Sequence, residues 1–181
     1  MIKGKDGKEL SRSEGEAVMK GRGAVTISIY ALLLAICTLL GNANSGRVLT
    51  NTLLASDTWS FYQAKSIKQT LAEMAAEDAE IRGDKAAEAR YKTKAARYDS
   101  DIESGEGKKE LMSKAKAYEA DRADAKEKSP YYSTASAALQ IAIVLSSTSI
   151  LAVSMGLLWA SVGVGTIGFL LLMAGYLGIM F

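Results

Sequence analysis

Along the chain, charged and apolar positions fall into separate blocks, and each block predicts a different element. Residues 1–23 are polar and carry Lys3, Lys5, Lys8, Arg12, Lys20 and Arg22. Ser13 followed by Glu16 fits a capping box for a short helix there, each side chain satisfying a free backbone N–H of the other. No charge occurs from Ala24 to Leu40. As a helix this run of roughly 17 residues spans roughly 26 Å, just sufficient for a bilayer core, so a first transmembrane helix is predicted over 24–41. A cleavable signal peptide is the rival reading, because Gly41-Asn42-Ala43 resembles a cleavage site. The charged leader is too long for a usual n-region, which favours an uncleaved span.

A second apolar block fills the C-terminal quarter. Ser129 is placed to cap a helix that starts at Pro130, the single proline of the chain, where the missing N–H costs nothing. Tyr131 and Tyr132 suit the aromatic belt of a membrane interface. From Ala135 to Phe181 no charge interrupts the sequence. One helix of that length would measure about 70 Å, more than twice the hydrocarbon thickness, so the chain must turn back. The expected turn is at Ser154-Met155-Gly156, giving spans over 135–154 and 157–181.

Residues 42–134 form a polar insert without a strand signal. Ala, Glu, Lys, Arg and Asp dominate it, as in long exposed helices. Asp78/Arg82, Glu88/Lys92 and Asp124/Lys128 have the favourable acid-first spacing of four. Ile67, Leu71, Met74, Asp78 and Ile81 approximate a four-three stripe. So do Tyr91, Ala95, Tyr98 and Ile102, and again Leu111, Ala115, Tyr118 and Arg122. These stripes predict an antiparallel helical hairpin with breaks at Arg82-Gly83 and Gly105-Glu106-Gly107. Alone in water it would be marginal, which argues for self-association or a partner. The expected fold is therefore an all-α membrane protein with three transmembrane helices and a long extramembrane hairpin between the first and second.

Charge and composition then narrow the function. A formal net charge of +2, with acids and bases evenly mixed, argues against a nucleic-acid partner. Histidine is absent from the sequence, which removes the commonest general base and transition-metal ligand. Cys37, the lone cysteine, lies in an apolar run and reads as a small buried hydrophobe; the preceding Leu34-Ala35-Ile36 is a poor lipoprotein signal. No cofactor is expected. Six basic residues precede the first span and only Arg47 follows it closely, so the positive-inside rule puts the N-terminus in the cytoplasm and the insert outside. Arg122, Lys126 and Lys128 pull the other way, but the insert exceeds the ~60-residue length within which loop charge is a dependable guide.

Three stretches invite a functional reading. Gly163-Val164-Gly165-Thr166-Ile167-Gly168 matches the spacing of a dinucleotide fingerprint, which needs a preceding strand and a ribose-binding acid about 20 residues later. The segment is apolar and no acid follows it, so Gly165 and Gly168 read as close-packing positions between helices, with Ser161/Gly165 and Ala174/Gly178 as small-xxx-small pairs. In the second span, Ala138, Ala142 and Ser146 form another small stripe. Gln140 and the hydroxyls of 146–149 read as polar glue, Gln140 across a helix interface, in preference to a conduction path that would need a membrane charge or a broken helix.

The third stretch, residues 55–68, sets Asp57, Gln63, Lys65 and Lys68 among Trp59, Phe61 and Tyr62. It is too poor in catalytic groups for an active site. As a surface anchor it needs a bend at residues 41–46. As a continuous helix it carries Asp57 roughly 24 Å past the first span, beyond the aromatic belt, and serves as a packing face. The packing face is the favoured reading. It expects Trp59 and Tyr62 buried on one side, Phe61 pointing elsewhere, and Asp57 and Lys65 finding partners on other helices or in water.

Ala55-Ser56-Asp57, Trp59 and Tyr62-Gln63-Ala64-Lys65-Ser66-Ile67-Lys68 resemble the most distinctive stretch of a bacterial membrane family, domain of unknown function 4337. The resemblance returns at Ala138-Leu139-Gln140-Ile141-Ala142-Ile143-Val144-Leu145, then Ser147 and Ile150-Leu151, and the order of spans agrees. Phe61 stands where members often carry tyrosine, and the turn after Met155 lacks the basic residues common there. The resemblance implies the architecture and a bacterial envelope, here the inner membrane, and supplies no activity. The expected function is a non-enzymatic, self-associating assembly or interaction module in the lipid bilayer. Alternatives are an accessory subunit of a larger complex, for example a bioenergetic one, and a small channel or transporter.

Overall fold

A computed structural model describes residues 12–179, apart from the side chains of Arg12 and Glu14. These residues form four helices and no strand: α1 (Arg12–Ile81), α2 (Lys85–Asp99), α3 (Lys108–Ala152) and α4 (Met155–Leu177). Three of them, all but α2, are long and apolar enough to cross a membrane. The basic residues before Arg12 lie outside the described residues, while Ser13 and Glu16 belong to α1.

The helix ends follow from local chemistry. Behind Ile81, Gly83 takes φ 74°, and the N–H of Asp84 returns to the carbonyl of Ala79 at 2.9 Å. This is a Schellman ending, for which glycine is suited because it carries no Cβ. Asp84 then caps α2 by accepting the N–H of Ala87 at 3.0 Å. Glu110 organises the α2–α3 connection, accepting the Ser100 hydroxyl at 2.7 Å and the Asp101 N–H at 3.2 Å. The turn between α3 and α4 falls at Val153 and Ser154, where the N–H of Ser154 meets the Ser149 carbonyl at 3.1 Å.

Pro130 corrects one expectation. It sits inside α3 and does not open a helix. An interior proline forfeits one backbone bond and crowds the preceding turn, at about 3 kcal/mol. Strong helix formers precede it, and just after it Tyr132 and Ala135 are buried, which offsets the cost. Ser129 makes another use of its hydroxyl, accepting the Asn44 amide at 3.0 Å.

The chain folds as two compact units, Met1–Ser45 with Lys126–Phe181, and Gly46–Ala125. In the first, the buried positions recur every seven residues. One series is Gly23, Tyr30, Cys37 and Asn44 in α1, Tyr132, Leu139 and Ser146 in α3, and Leu158, Gly165 and Leu172 in α4, and a second runs beside it through Ala135, Ala142 and Ser149 in α3 and Ser161, Gly168 and Gly175 in α4. That period keeps one face of each helix turned to its neighbours. Cys37 is a free, buried thiol whose S–H donates to the Tyr132 carbonyl at 3.3 Å.

The second unit packs α1, α2 and α3 around alanines: Ala55, Ala72, Ala76 and Ala79 from α1, Ala95 from α2, and Ala115 from α3. The expected α1 stripe is corrected here. Ile67, Leu71, Met74 and Ile81 are all at least 60% exposed, and they lie on the face opposite the alanines. Alanine faces let helices approach closely, and that gain outweighs the greater apolar area of the larger residues. In the other two stripes Ala95, Leu111 and Ala115 do point inward, whereas Ile102 does not.

Candidate interaction site

Residues 55–68 lie wholly within α1, which continues unbroken through residues 41–46. The bend that a surface anchor requires is not made. Ala55 is buried at the start of the stretch, and Trp59 and Tyr62, one turn apart, point to the same side. Both are half-buried, short of the full burial expected of a packing face. Their rings meet edge to face, 5.4 Å between centroids with planes 78° apart, a preferred aromatic geometry. The indole N–H of Trp59 donates to the Glu119 carboxylate of α3 at 2.9 Å. Lys108 places its ammonium 5.5 Å from the centre of the Tyr62 ring.

Lys65 continues this side of α1. Its Nζ lies 3.4 Å from Glu106 and 5.9 Å from the centre of the Tyr98 ring, and its side chain is only 19% exposed. The stem is thus covered while the charge reaches an acid, as amphipathic lysines commonly do. The neighbouring connection is rich in stabilised carboxylates. Asp101 is held below the usual range by hydrogen bonds from the Ser104 N–H and hydroxyl, with smaller help from Arg97 and Lys65. Glu110 is lowered mainly by the Ser100 hydroxyl, and Asp99 mainly by Lys109 at 2.6 Å.

The remaining residues of the stretch face away. Asp57, Phe61, Gln63 and Lys68 are exposed, and Asp57 and Phe61 line a shallow 240 Å³ depression with Ser60 and Ala64. Asp57 makes no ion pair among the described residues. The site therefore has two sides, one occupied by α3 and the α2–α3 connection and one open.

The small and polar residues of the apolar unit come together differently. Ser146 and Ser161 are buried with their hydroxyls 2.7 Å apart, and Ser161 donates on to the Ala142 carbonyl at 2.8 Å. Since Ser161 has one proton, Ser146 supplies the proton between the two hydroxyls. Ser149 bonds the Ser146 carbonyl at 2.7 Å, while Ser147 and Thr148 bond carbonyls of the preceding turn. Gln140 departs from its expected role. It is exposed, and its amide is satisfied within α3 by Ser136 at 3.2 Å.

Gly165 and Gly168 are mid-helix in α4, without the strand-to-helix turn of a dinucleotide site. A Cβ at Gly165 would fall 2.4 Å from the ring of Tyr30, and one at Gly168 would fall 3.1 Å from Leu139. Tyr30 runs across this gap to donate its hydroxyl to the Ser161 carbonyl at 3.2 Å. Sequence reasoning missed Tyr30, although a phenol in an apolar run must find an acceptor. It also missed Glu119 and Glu106 as partners, and nothing in their local sequence distinguishes them from other surface acids. Among the described residues no group of acids or sulfur ligands is arranged to hold a metal.

The arrangement defines an all-helical protein whose three long helices have the length and apolarity of membrane spans, a class in which irregular backbone is confined to short turns. Residues 19–178 match the family described as Domain of unknown function (DUF4337), and the chain belongs to it. No curated protein and no solved structure matches the chain.

Proposed function

We propose that the protein is a non-enzymatic, self-associating membrane protein in which Gly46–Ala125 is the interaction module. The observation that carries this is the open row on α1. Leu53, Phe61, Ile67, Leu71, Met74 and Ile81 are 57–85% exposed within an otherwise polar unit. An exposed apolar row of this kind marks an interaction site. Ile67, Leu71, Met74 and Ile81 also follow the spacing by which two like helices pair. Asp78, which interrupts the row, is balanced by Arg82 at 2.6 Å. Copies inserted the same way in one bilayer run their helices parallel, so the row can meet its own image around a two-fold axis.

We place the protein in a bacterial inner membrane with the N-terminus in the cytoplasm, the polar unit in the periplasm and the C-terminus outside. The basic residues ahead of the first apolar run support that orientation. A cytoplasm-active reporter fused after Phe181 is expected to be nearly silent, and strong activity there overturns the topology.

A second reading, an accessory subunit of a larger membrane complex, is favoured by Asp57. Its carboxylate stands without a basic partner beside Phe61, where a lysine or arginine of a foreign subunit would pair with it. The channel reading gains less, because the buried hydroxyls of Ser146, Ser149 and Ser161 bond one another and the backbone, as helix-binding groups do. Purification in a mild detergent separates the first two. A homo-oligomer of the chain alone, converted to monomer by Ile67→Lys with Leu71→Lys at unchanged helix content, supports self-association. Foreign subunits in fixed stoichiometry support the second reading.

A further inference from the structure

In the apolar unit, residues of α1 and of the first turns of α4 line a groove of 480 Å³. Its lining includes Gly21, Val25, Leu158, Trp159 and Val162, and one cation, Arg22. We propose that this groove is a binding site for an anionic phospholipid, with the phosphate on Arg22 and the start of one acyl chain in the groove.

Three observations fix the ligand chemistry. The first is charge: Arg22 is exposed and makes no ion pair among the described residues, and guanidinium suits a phosphate because its forked donors match the oxygens. Next comes depth. Arg22 lies two residues before the uncharged run that begins at Ala24, and Gly23 packs against Ile150, close to the α3–α4 turn. The arginine is thus level with the end of the apolar helices, where lipid headgroups sit. Trp159, one turn into α4 and 70% exposed, occupies the interfacial depth that indoles prefer. Shape is the third. The groove is open and nearly all apolar, and a Cβ at Gly21 would meet nothing within 4 Å, so a chain can lie against the backbone there. Basic recesses between spans at the membrane surface hold anionic headgroups by this combination.

The site rests on the helices spanning a bilayer and not on self-association, and the experiment tells the two apart. Trp59→Phe leaves Trp159 as the sole tryptophan of the two in the chain. The full-length variant is placed in bilayers containing either brominated phosphatidylglycerol or brominated phosphatidylcholine, and quenching of Trp159 is compared at equal bromine content. Quenching by both lipids reports that α4 lies in the bilayer. A preference for phosphatidylglycerol reports the site, and one basic residue predicts about fivefold in relative affinity.

Arg22→Gln should abolish that preference and Arg22→Lys should retain most of it. Lys20→Gln should leave it nearly intact, because Lys20 is two residues away and points to the opposite side of α1. Equal quenching by the two lipids in the Trp59→Phe protein with Arg22 intact overturns the proposal. So does an equal loss in Arg22→Gln and Lys20→Gln, which would reduce the preference to general surface charge.

Discussion

The two units of this chain solve the same problem, three helices side by side, with different materials. In the apolar unit, buried glycine, serine and alanine let the helices approach beside Leu139, Leu172 and Tyr132, and buried hydroxyls, that of Tyr30 among them, join them. In the polar unit they meet at alanine, and the cross-links are exposed pairs such as Lys92–Glu80 at 3.8 Å and Lys109–Asp99 at 2.6 Å. The contrast follows from the solvent each composition suits. In lipid, burying an apolar side chain gains little, so close approach and internally satisfied polar groups hold helices together. In water, apolar burial contributes, and surface ion pairs contribute little each. The same kind of substitution should therefore have unequal consequences in the two units.

The largest effect is expected at Gly165. Valine there must displace the Tyr30 ring and with it the bond to the Ser161 carbonyl, at about 3 kcal/mol or more. Thermal unfolding in detergent should show it, whereas Gly163→Val, which meets nothing within 4 Å, should unfold nearly as the parent does. Loss of the same size in both would mean that α4 is not seated through Gly165. In the polar unit, Trp59→Ala should cost about 2 kcal/mol, less than the 3–5 kcal/mol of a fully buried indole. Trp59→Phe should retain most of that, losing chiefly the donor to Glu119. If Trp59→Ala keeps its oligomeric size and stability yet loses binding to lipid vesicles, the stretch is a surface anchor after all.

A smaller gain is expected at Val153, whose φ of 46° places a β-branched residue in the left-handed region. The equivalent positions after α1 and α4 are Gly83 and Gly178, both at positive φ. Val153→Gly should therefore stabilise the apolar unit by up to about 1 kcal/mol, relief of left-handed strain being partly offset by chain entropy. An unfolding temperature below that of the parent would contradict this.

The smallest effects belong to pH, and they concern the carboxylates of the polar unit. Glu88 is held below its ordinary value of 4.5, chiefly by hydrogen bonds from Lys92 and Lys85, and Asp99, Asp101 and Glu110 are lowered as well. A depressed carboxyl contributes stability above its unfolded value and loses it as pH falls through the folded one. The polar unit should thus weaken as pH drops below about 4.5. Lys92 and Lys109 are raised above 10.5, so their contribution persists through neutral pH and disappears only as pH rises past that value. Helix content followed by circular dichroism on acidification should fall less in Glu88→Gln, which has already lost this contribution.

How much of this was legible in the sequence depends on what carried the signal. Turns written in glycine were clear, as at Gly83 and in the 100–107 connection, and so was the reversal after Ala152, because no bilayer accommodates the uninterrupted run. The shared face of Trp59 and Tyr62 followed from their spacing. The face of α1 that turns inward was misjudged because Ile, Leu and Met carry more hydrophobic signal than Ala, yet alanine decides how closely helices approach. Pro130 misled because its local preference for a helix start was outweighed by the continuity of good helix formers around it. Glu119, Glu106 and Tyr30 matter only through residues distant in sequence, and no local pattern carries that information.

The hydroxyl pair of Ser146 and Ser161 also bears on the order in which the apolar unit assembles. Its members are 15 residues apart, whereas the bond from Tyr30 to Ser161 closes across 131 residues. On chain entropy alone the longer closure costs about 2 kcal/mol more. The α3–α4 pair can form as soon as the turn at Val153 and Ser154 is made, before α1 joins. Of the three helices of this unit, α1 is then the last to dock, and the Tyr30 hydroxyl is without its acceptor until Ser161 has been made.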